Sequence, residues 1–248
     1  MPSTSEVGHA KNVAEFEQAK SFVSAYDPSK PYDPSNPLII LTALDTKFDD
    51  GVDAIGKVNT ANAPFNIADE ARRILFAPIP KLATKILSAV KASPVPQEYV
   101  ANVQQIIRKL QGRRAKAVKA PTDPNATPPL TISVSQRSFD NQINFMDQLV
   151  KLLAVQPLYD PNEPELKVAT LTTLLSDMVT ANSLVVSNFT KVSNARIYRD
   201  TVLYHPETGM LKMVTLIKSY VKSLYGAKSV QYKQLTKLKF KKPGKLFI

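Results

Sequence analysis

The sequence predicts an all-α protein made of two homologous helical-bundle repeats in tandem, with long antiparallel helices. Three observations predict this class: apolar residues recur at helical spacing, glycine is scarce, and one hexapeptide occurs twice. Apolar residues make up 44% of the 248 positions, which is enough for a buried core. The chain has only 7 glycines, whereas folds built from strands and tight turns need many residues with positive φ.

The repeated hexapeptide indicates an internal duplication. Residues 32–37 have the sequence YDPSNP, and residues 159–164 have the sequence YDPNEP. When the chain is aligned at this separation, residues 32–54 and 159–181 are identical at 9 of 23 positions without a gap. Such agreement over a long interval is typical of two copies of one structural plan.

The duplication predicts the domain organisation. We expect a first helical repeat at 1–117, a linker at 118–135, and a second repeat at 136–248 that ends in a basic C-terminal tail. The linker is predicted because proline and threonine are concentrated there. The copies can form two bundles in tandem, or one pseudo-twofold bundle to which both contribute, and the sequence leaves both arrangements open.

The hexapeptide has the chemistry of a corner between two helices. Pro37 and Pro164 suit the first turn of a helix, where a missing N–H costs nothing. Asn36 is a favourable N-cap residue, and Asp33 followed by Pro34 favours a turn just before it. The sequence therefore favours a structural corner over a functional motif.

Apolar spacing predicts four elements in the first copy. They are a helix at 10–26, a long element after the corner, a helix at 79–92 and a helix at 96–117. Pro64 lies inside the long element, so we expect a bend or break there.

The second copy repeats this order. The first helix follows a cap region at Ser135 and Ser138, and an unbroken long helix then covers 164–204, where there is no glycine and no internal proline. A third helix at 208–224 ends at Gly226, which is a suitable C-cap. The fourth element, at 229–240, can end as a short extended tail because its apolar residues alternate there.

Basic residues are concentrated in the last part of each copy. Residues 71–122 contain 11 bases and one acid, and residues 208–248 contain 10 lysines and no acid, within a chain of net charge +11. This density predicts anion-binding surfaces at 108–119 and 233–245, because neutralising phosphates requires clustered cations. The alternative is that these segments only attract the acidic front helices, with about 0–1 kcal/mol from each surface pair. The candidate anion-binding residues are Arg108, Lys109, Arg113, Arg114, Lys116, Lys237, Lys239, Lys241 and Lys242.

The sequence offers no recognisable catalytic, cofactor or metal site. Cysteine is absent, and the two histidines, His9 and His205, lack a partner four residues away that could share a metal ion. We expect His9 to lie in a loosely ordered N-terminal segment. No Gly-rich phosphate loop or nucleophile motif is present, so we predict a non-enzymatic protein without a cofactor.

Composition narrows the functional hypotheses to binding and assembly. The N-terminal residues lack an apolar segment typical of a secretion signal, and no long uninterrupted apolar run occurs, so we expect a cytoplasmic protein without a membrane-spanning segment. The principal hypothesis is a structural or interaction protein that acts by self-assembly or scaffolding. The alternative is a protein that binds nucleic acid or another polyanion through the basic stretches. A membrane-active bundle and an enzyme with an unrecognised site are further hypotheses.

The chain also resembles a family of helical proteins. The segments that carry the resemblance are YDPSNPLIILTALDTKF, SVSQRSFDNQINFMDQLVKLL, SNARIYRDTVLY and SVQYKQLTKLKFKK. With these segments, the chain resembles a group of uncharacterised bacterial duplicated helical proteins of about this length. The resemblance covers most of the chain and implies an intracellular or surface-associated bacterial helical protein. It implies no site residues, because no activity is established for the group.

Overall fold

The computed structural model describes residues 4–112 and 137–244, and for residues 4–7 it describes the backbone alone. The described residues form helices and connecting turns, without a strand, so the predicted all-α class is confirmed. The α-helices are α1 (Thr4–Ser24), α2 (Leu41–Phe76), α3 (Ile79–Ala92), α4 (Gln97–Leu110), α5 (Phe139–Ala154), α6 (Val168–Tyr204), α7 (Met210–Tyr225) and α8 (Val230–Lys237). Two single 3₁₀ turns, Pro37–Ile39 and Pro164–Leu166, precede α2 and α6.

Two compact units divide the chain in a way that mixes its two halves. The first unit combines residues 1–65 with 188–248, and the second unit consists of residues 66–187. The helices α2 and α6 each contribute one part to each unit. The predicted repeats describe copies of sequence, so their boundaries stay a prediction, and the whole of the predicted linker, 118–135, lies outside the described residues.

The core of the first unit takes side chains from both halves of the sequence. Phe16 on α1, Leu203 on α6 and Ile217 on α7 are among its fully buried members. α8 adds Leu235, which is also fully buried. Helices of moderate length pack here on their apolar faces, as the spacing of apolar residues requires.

The second unit has its own core. α3 contributes Ile86, α4 contributes Ile107, and α5 contributes Met146 and Leu149. Met178 on α6 is fully buried in the same core. This core also depends on both halves of the sequence, since α3 and α4 precede the undescribed segment whereas α5 and α6 follow it.

The hexapeptide forms the predicted corner. The Asn36 side chain accepts a hydrogen bond from the Leu38 backbone N–H at 3.0 Å, which confirms the predicted N-cap. The buried Tyr32 hydroxyl donates to the Ile39 carbonyl at 2.9 Å, and the buried Tyr159 hydroxyl donates to the Leu166 carbonyl at the same distance. In both copies the proline begins a 3₁₀ turn, and the long α-helix starts only afterwards.

Of the bend or break predicted near Pro64, the break is wrong, because α2 continues through it, and the bend stays a prediction. Proline at this position removes the hydrogen bond to the carbonyl of Thr60. Thr60 is exposed, so water can supply the missing donor. The carbonyl of Pro64 itself accepts a hydrogen bond from Asn188 Nδ2 at 3.3 Å.

The helix ends follow the predicted chemistry, with one correction. Ser138 caps α5 by accepting from the Asn141 N–H at 3.2 Å, and Gly226 ends α7 with a φ of +89°, where a side chain would be strained. α1 begins at Thr4, and His9 is buried within it, so the expectation of a loosely ordered segment around His9 is wrong. Apolar neighbours such as Val13 and Phe16 extend the buried face of α1 through this region.

Candidate anion-binding groove

The first basic stretch is only partly described. Arg108 and Lys109 are exposed in the last turn of α4, in the second unit. The Lys109 ammonium lies 5.8 Å from the centre of the Phe145 ring. The remaining predicted residues of this stretch, Arg113, Arg114 and Lys116, lie outside the described residues.

The second basic stretch belongs to the first unit. Lys237 ends α8, and Lys239, Lys241 and Lys242 follow in a segment without helix or strand, which we call the tail (residues 238–244). All four lysines are exposed. The structure thus groups the lysines of this stretch in one unit and the described residues of the other stretch in the second unit.

The tail is fixed to α1 by its backbone. The amide of Asn12 donates to the Lys241 carbonyl at 2.7 Å and accepts from the Lys241 N–H at 2.9 Å. The Lys239 N–H donates to Glu15 Oε2 at 3.3 Å, and Leu238 is buried in the core. Because backbone groups make these bonds, the lysine side chains of the tail remain at the surface.

A groove lies beside the tail in the first unit. Its volume is about 370 Å³, which is at the lower end of the range for small-molecule sites, about 300–1,000 Å³. The lining residues come from α7, α8 and the tail: Leu211, Val214, Thr215, Lys218, Thr236, Leu238, Lys239 and Phe240. One member of the predicted set, Lys239, lies in this lining, together with a lysine that the sequence analysis did not select.

The additional lysine, Lys218, has an unusual environment. It is half-buried on α7, with its ammonium 5.6 Å from the centre of the Phe240 ring. Burial lowers the pKa of Lys218, and the positive charge of Lys239 lowers it further, whereas the carboxylate of Glu15 acts in the opposite direction. Two ammonium groups therefore repel each other beside an apolar surface, and an anion placed between them would be stabilised.

A second polar cluster is buried in the first unit. The Tyr204 hydroxyl lies 2.6 Å from His9 Nδ1 and accepts from Asn12 Nδ2 at 3.0 Å, and all three residues are buried. Shortly before Tyr204 on α6, the guanidinium of Arg199 donates to the Asp200 carboxylate at 2.7 Å, and this pair is also buried. The sequence indicated neither group, because contacts between distant helices placed these polar residues in the interior.

The buried polar cluster does not line the groove. Its hydrogen bonds join α1 to the end of α6 and, through Asn12, to the tail. Across residues 8–112 and 137–244, no group of three or more His, Cys, Asp or Glu side chains could hold a metal ion. Whether the protein is an enzyme stays a prediction from the sequence.

Helix α6 is relevant to the expectation that no segment spans a membrane. By length and composition alone, α6 could cross a membrane: its most apolar stretch of 18 residues has a mean hydropathy of 1.2, and 22% of that stretch is buried. An apolar helix of a water-soluble protein meets the same criterion. The expectation therefore stays a prediction.

Comparisons with known proteins give no assignment. Neither a protein-family model, nor a curated protein, nor a solved structure matches the chain. The resemblance to bacterial helical proteins and the cytoplasmic location stay predictions, and the functional argument depends on the chain's own residues.

Proposed function

We propose that this protein is a non-enzymatic interaction protein, a duplicated helical bundle that acts by self-association as a scaffold. The proposal has three parts, which are the duplication, the direction of the long helices and an apolar surface that a second copy can cover. Each part is supported by different residues.

The internal contacts of the two copies support the duplication. The corner tyrosines Tyr32 and Tyr159 make the same hydrogen bond at the same distance. The buried positions of α3 recur in α7, each 131 positions further along, and six of 14 aligned residues are identical. The matching pairs of buried residues are Ile79 with Met210, Ala83 with Val214, Ile86 with Ile217, and Val90 with Val221. Such agreement is expected of two copies that retained one packing plan.

Contacts in the first unit support the antiparallel direction of α2 and α6. The Lys57 ammonium lies 4.4 Å from the centre of the Tyr198 ring, and the rings of Phe65 and Phe189 have centres 5.9 Å apart. The later residue of α2 thus contacts the earlier residue of α6, as expected when the two helices run in opposite directions. Antiparallel packing of long helices is the usual arrangement in helical bundles.

The observation that carries the proposal is the exposed apolar surface of α6 in the second unit. Val179 and Val186 are 45% and 57% exposed, and they lie on one face because they are seven residues apart. Leu184 is also more than half exposed, and residues 178–187 contain no charged side chain. Exposed apolar side chains on an uncharged helix favour an interaction site, and a second copy of the same uncharged helix can cover them without electrostatic conflict.

Light scattering coupled to size-exclusion chromatography tests this proposal. We expect a mass above that of one chain, and we expect Val179→Glu combined with Val186→Glu to return the protein to a monomer, because two charges would be buried in the contact. Val230→Glu is the matched control, since it places the same charge at an exposed valine on α8. A wild-type monomer at high concentration, or an oligomer that survives the double substitution, would refute the proposal.

Polyanion binding is the second candidate function. It is favoured by the exposure of the described residues of the basic stretches, Arg108, Lys109, Lys237, Lys239, Lys241 and Lys242. Gel shifts with mixed DNA and RNA across a salt series test it, and we expect affinity to fall steeply as salt increases. Replacing Lys241 and Lys242 with Gln should weaken binding, whereas Lys81→Gln on α3 should not. No binding at about 50 mM salt would exclude this function.

A further inference from the structure

The groove of the first unit combines two kinds of surface that one class of ligand requires. Lys218 and Lys239 supply positive charge, and both side chains belong to the lining. Leu211, Leu238 and Phe240 supply apolar surface in the same groove. A ligand that satisfies both surfaces needs an anionic group and an apolar group in one small molecule.

We propose that this groove binds an amphiphilic anion, a small molecule in which a carboxylate or phosphate headgroup is attached to an apolar chain. Lys218 and Lys239 bind the headgroup through charge-assisted hydrogen bonds. The apolar chain lies against Leu211, Leu238 and Phe240 and removes them from water.

The electrostatics of the groove favour such a headgroup. The Lys218 ammonium is half-buried and is near a second positive charge, and both factors disfavour its charged form. Glu15 compensates only in part, since its carboxylate also accepts the backbone N–H of Lys239. A bound anion would favour the charged form of Lys218 and relieve the repulsion between the two ammonium groups.

Two threonine hydroxyls add hydrogen-bonding capacity. Thr215 Oγ1 donates to the Leu211 carbonyl at 3.1 Å, and Thr236 Oγ1 donates to the Lys233 carbonyl at 2.9 Å. Each hydroxyl can instead turn its proton toward a ligand oxygen, because a hydroxyl rotates about its C–O bond. The headgroup can thus be bound by two ammonium groups and two hydroxyls.

Among the described residues, helix α3 of the second unit carries no lysine at the position that aligns with Lys218. Helix α3 aligns with α7 through its buried residues, and in this alignment Leu87 stands where α7 has Lys218. Leu87 packs against the core of the second unit. The equivalent of Thr215 is Thr84, whose hydroxyl oxygen accepts a hydrogen bond from Gln111 Nε2 at 2.8 Å. A half-buried lysine at this helix position is therefore not a requirement of the fold.

The proposal is independent of self-association, and it shares only Lys239 with the polyanion-binding candidate. Lys218 lies outside both predicted basic stretches, and the exposed valines of α6 belong to the other unit. Loss of either of those functions would leave the groove intact.

Isothermal titration calorimetry with octanoate and octyl phosphate tests the proposal on the full chain. We expect at least one of the two to bind, and we expect Lys218→Met to weaken that binding at least tenfold. Lys222→Met is the matched control, because Lys222 is an exposed lysine one turn further along α7, and it should leave the affinity unchanged. The Lys218→Met variant should fold, since leucine occupies the aligned position of α3, and circular dichroism checks this. Lys239→Gln provides a second variant with an exposed substitution site, and it too should weaken binding.

Two control ligands separate the contribution of the anionic group from that of the apolar chain. Octanol lacks the anionic group and inorganic phosphate lacks the apolar chain, so each should bind at least tenfold more weakly than the amphiphilic anion. Equal affinity for octanol and octanoate would overturn the proposal, as would the absence of binding by both anionic probes or unchanged affinity of the Lys218→Met variant. Sedimentation with phosphatidylglycerol vesicles distinguishes a free ligand from a membrane lipid, and binding to vesicles without binding to the free probes would also overturn it.

Discussion

The hydroxyl of Tyr159 offers a sharp test of the corner, and the substitution is Tyr159→Phe. Phenylalanine keeps the ring that packs in the core of the second unit and removes only the hydroxyl that donates to the Leu166 carbonyl at 2.9 Å. Tyr159 and Leu166 are both buried, so water cannot easily replace the lost donor. The substitution therefore isolates one hydrogen bond.

The expected magnitude follows from the burial of both partners. An intramolecular hydrogen bond contributes about 0.5–1.5 kcal/mol net, and a buried group left without a partner costs about 1–3 kcal/mol. We expect Tyr159→Phe to lower the free energy of unfolding by about 1–2 kcal/mol. In a protein of this size, that change lowers the melting temperature by about 2–4 °C for each kcal/mol.

Tyr26 provides a control with the opposite expectation. Its hydroxyl is buried and has no hydrogen-bond partner among the described residues, so Tyr26→Phe removes a polar group that the fold leaves unsatisfied. Urea unfolding followed by far-ultraviolet circular dichroism should show Tyr159→Phe destabilised and Tyr26→Phe unchanged or stabilised. Equal destabilisation of the two variants, or a Tyr159→Phe variant as stable as the wild type, would refute the assignment of the corner's stability to this bond.

Three further predictions concern buried polar groups and the tail. Asp200→Asn should lower the free energy of unfolding by about 3–5 kcal/mol, because it removes the carboxylate charge that the buried guanidinium of Arg199 contacts at 2.7 Å, whereas the exposed Asp177→Asn should have little effect in the same urea assay. Asn12→Leu removes both hydrogen bonds to the tail backbone, so trypsin should cleave the tail faster than in the wild type, as measured by mass spectrometry. An unchanged cleavage rate would contradict the role of Asn12 in holding the tail on α1. Burial raises the pKa of Tyr159 to about 12, so the contribution of its hydroxyl to stability is complete below about pH 10 and is lost between about pH 10 and 12. Over that interval the wild type should therefore lose about 1–2 kcal/mol more of its free energy of unfolding than Tyr159→Phe.

Local chemistry predicted most of the helical elements. Helix α3 has the predicted bounds, and α6 ends at the predicted residue. Ser138 caps the start of α5 with its side chain, and Gly226 ends α7 with its backbone conformation. These features depend on residues within one turn, so the sequence contains the information needed to predict them. Pro64 is the exception, because a proline in a long helix costs one hydrogen bond and the remaining helix contacts outweigh it.

The candidate site depended on contacts that the sequence does not reveal. Lys239 belongs to a dense run of lysines and was therefore predicted, whereas Lys218 is separated from that run and became part of the groove only through the packing of α7 against the tail. The burial of His9 likewise depends on Tyr204, which is 195 positions away. Alignment of α3 with α7 was the available indication of Lys218, since it shows a lysine where the other copy has Leu87.

The mixing of the two halves in each unit has a consequence for split versions of the gene. A chain divided within 118–135 yields two fragments, and each fragment contains only part of either hydrophobic core. Neither fragment should fold cooperatively in isolation, because α3 and α4 need α5, and α1 needs α7. Co-expressed, the fragments should reconstitute both cores by complementation, so the chain offers a natural position for a two-component reporter.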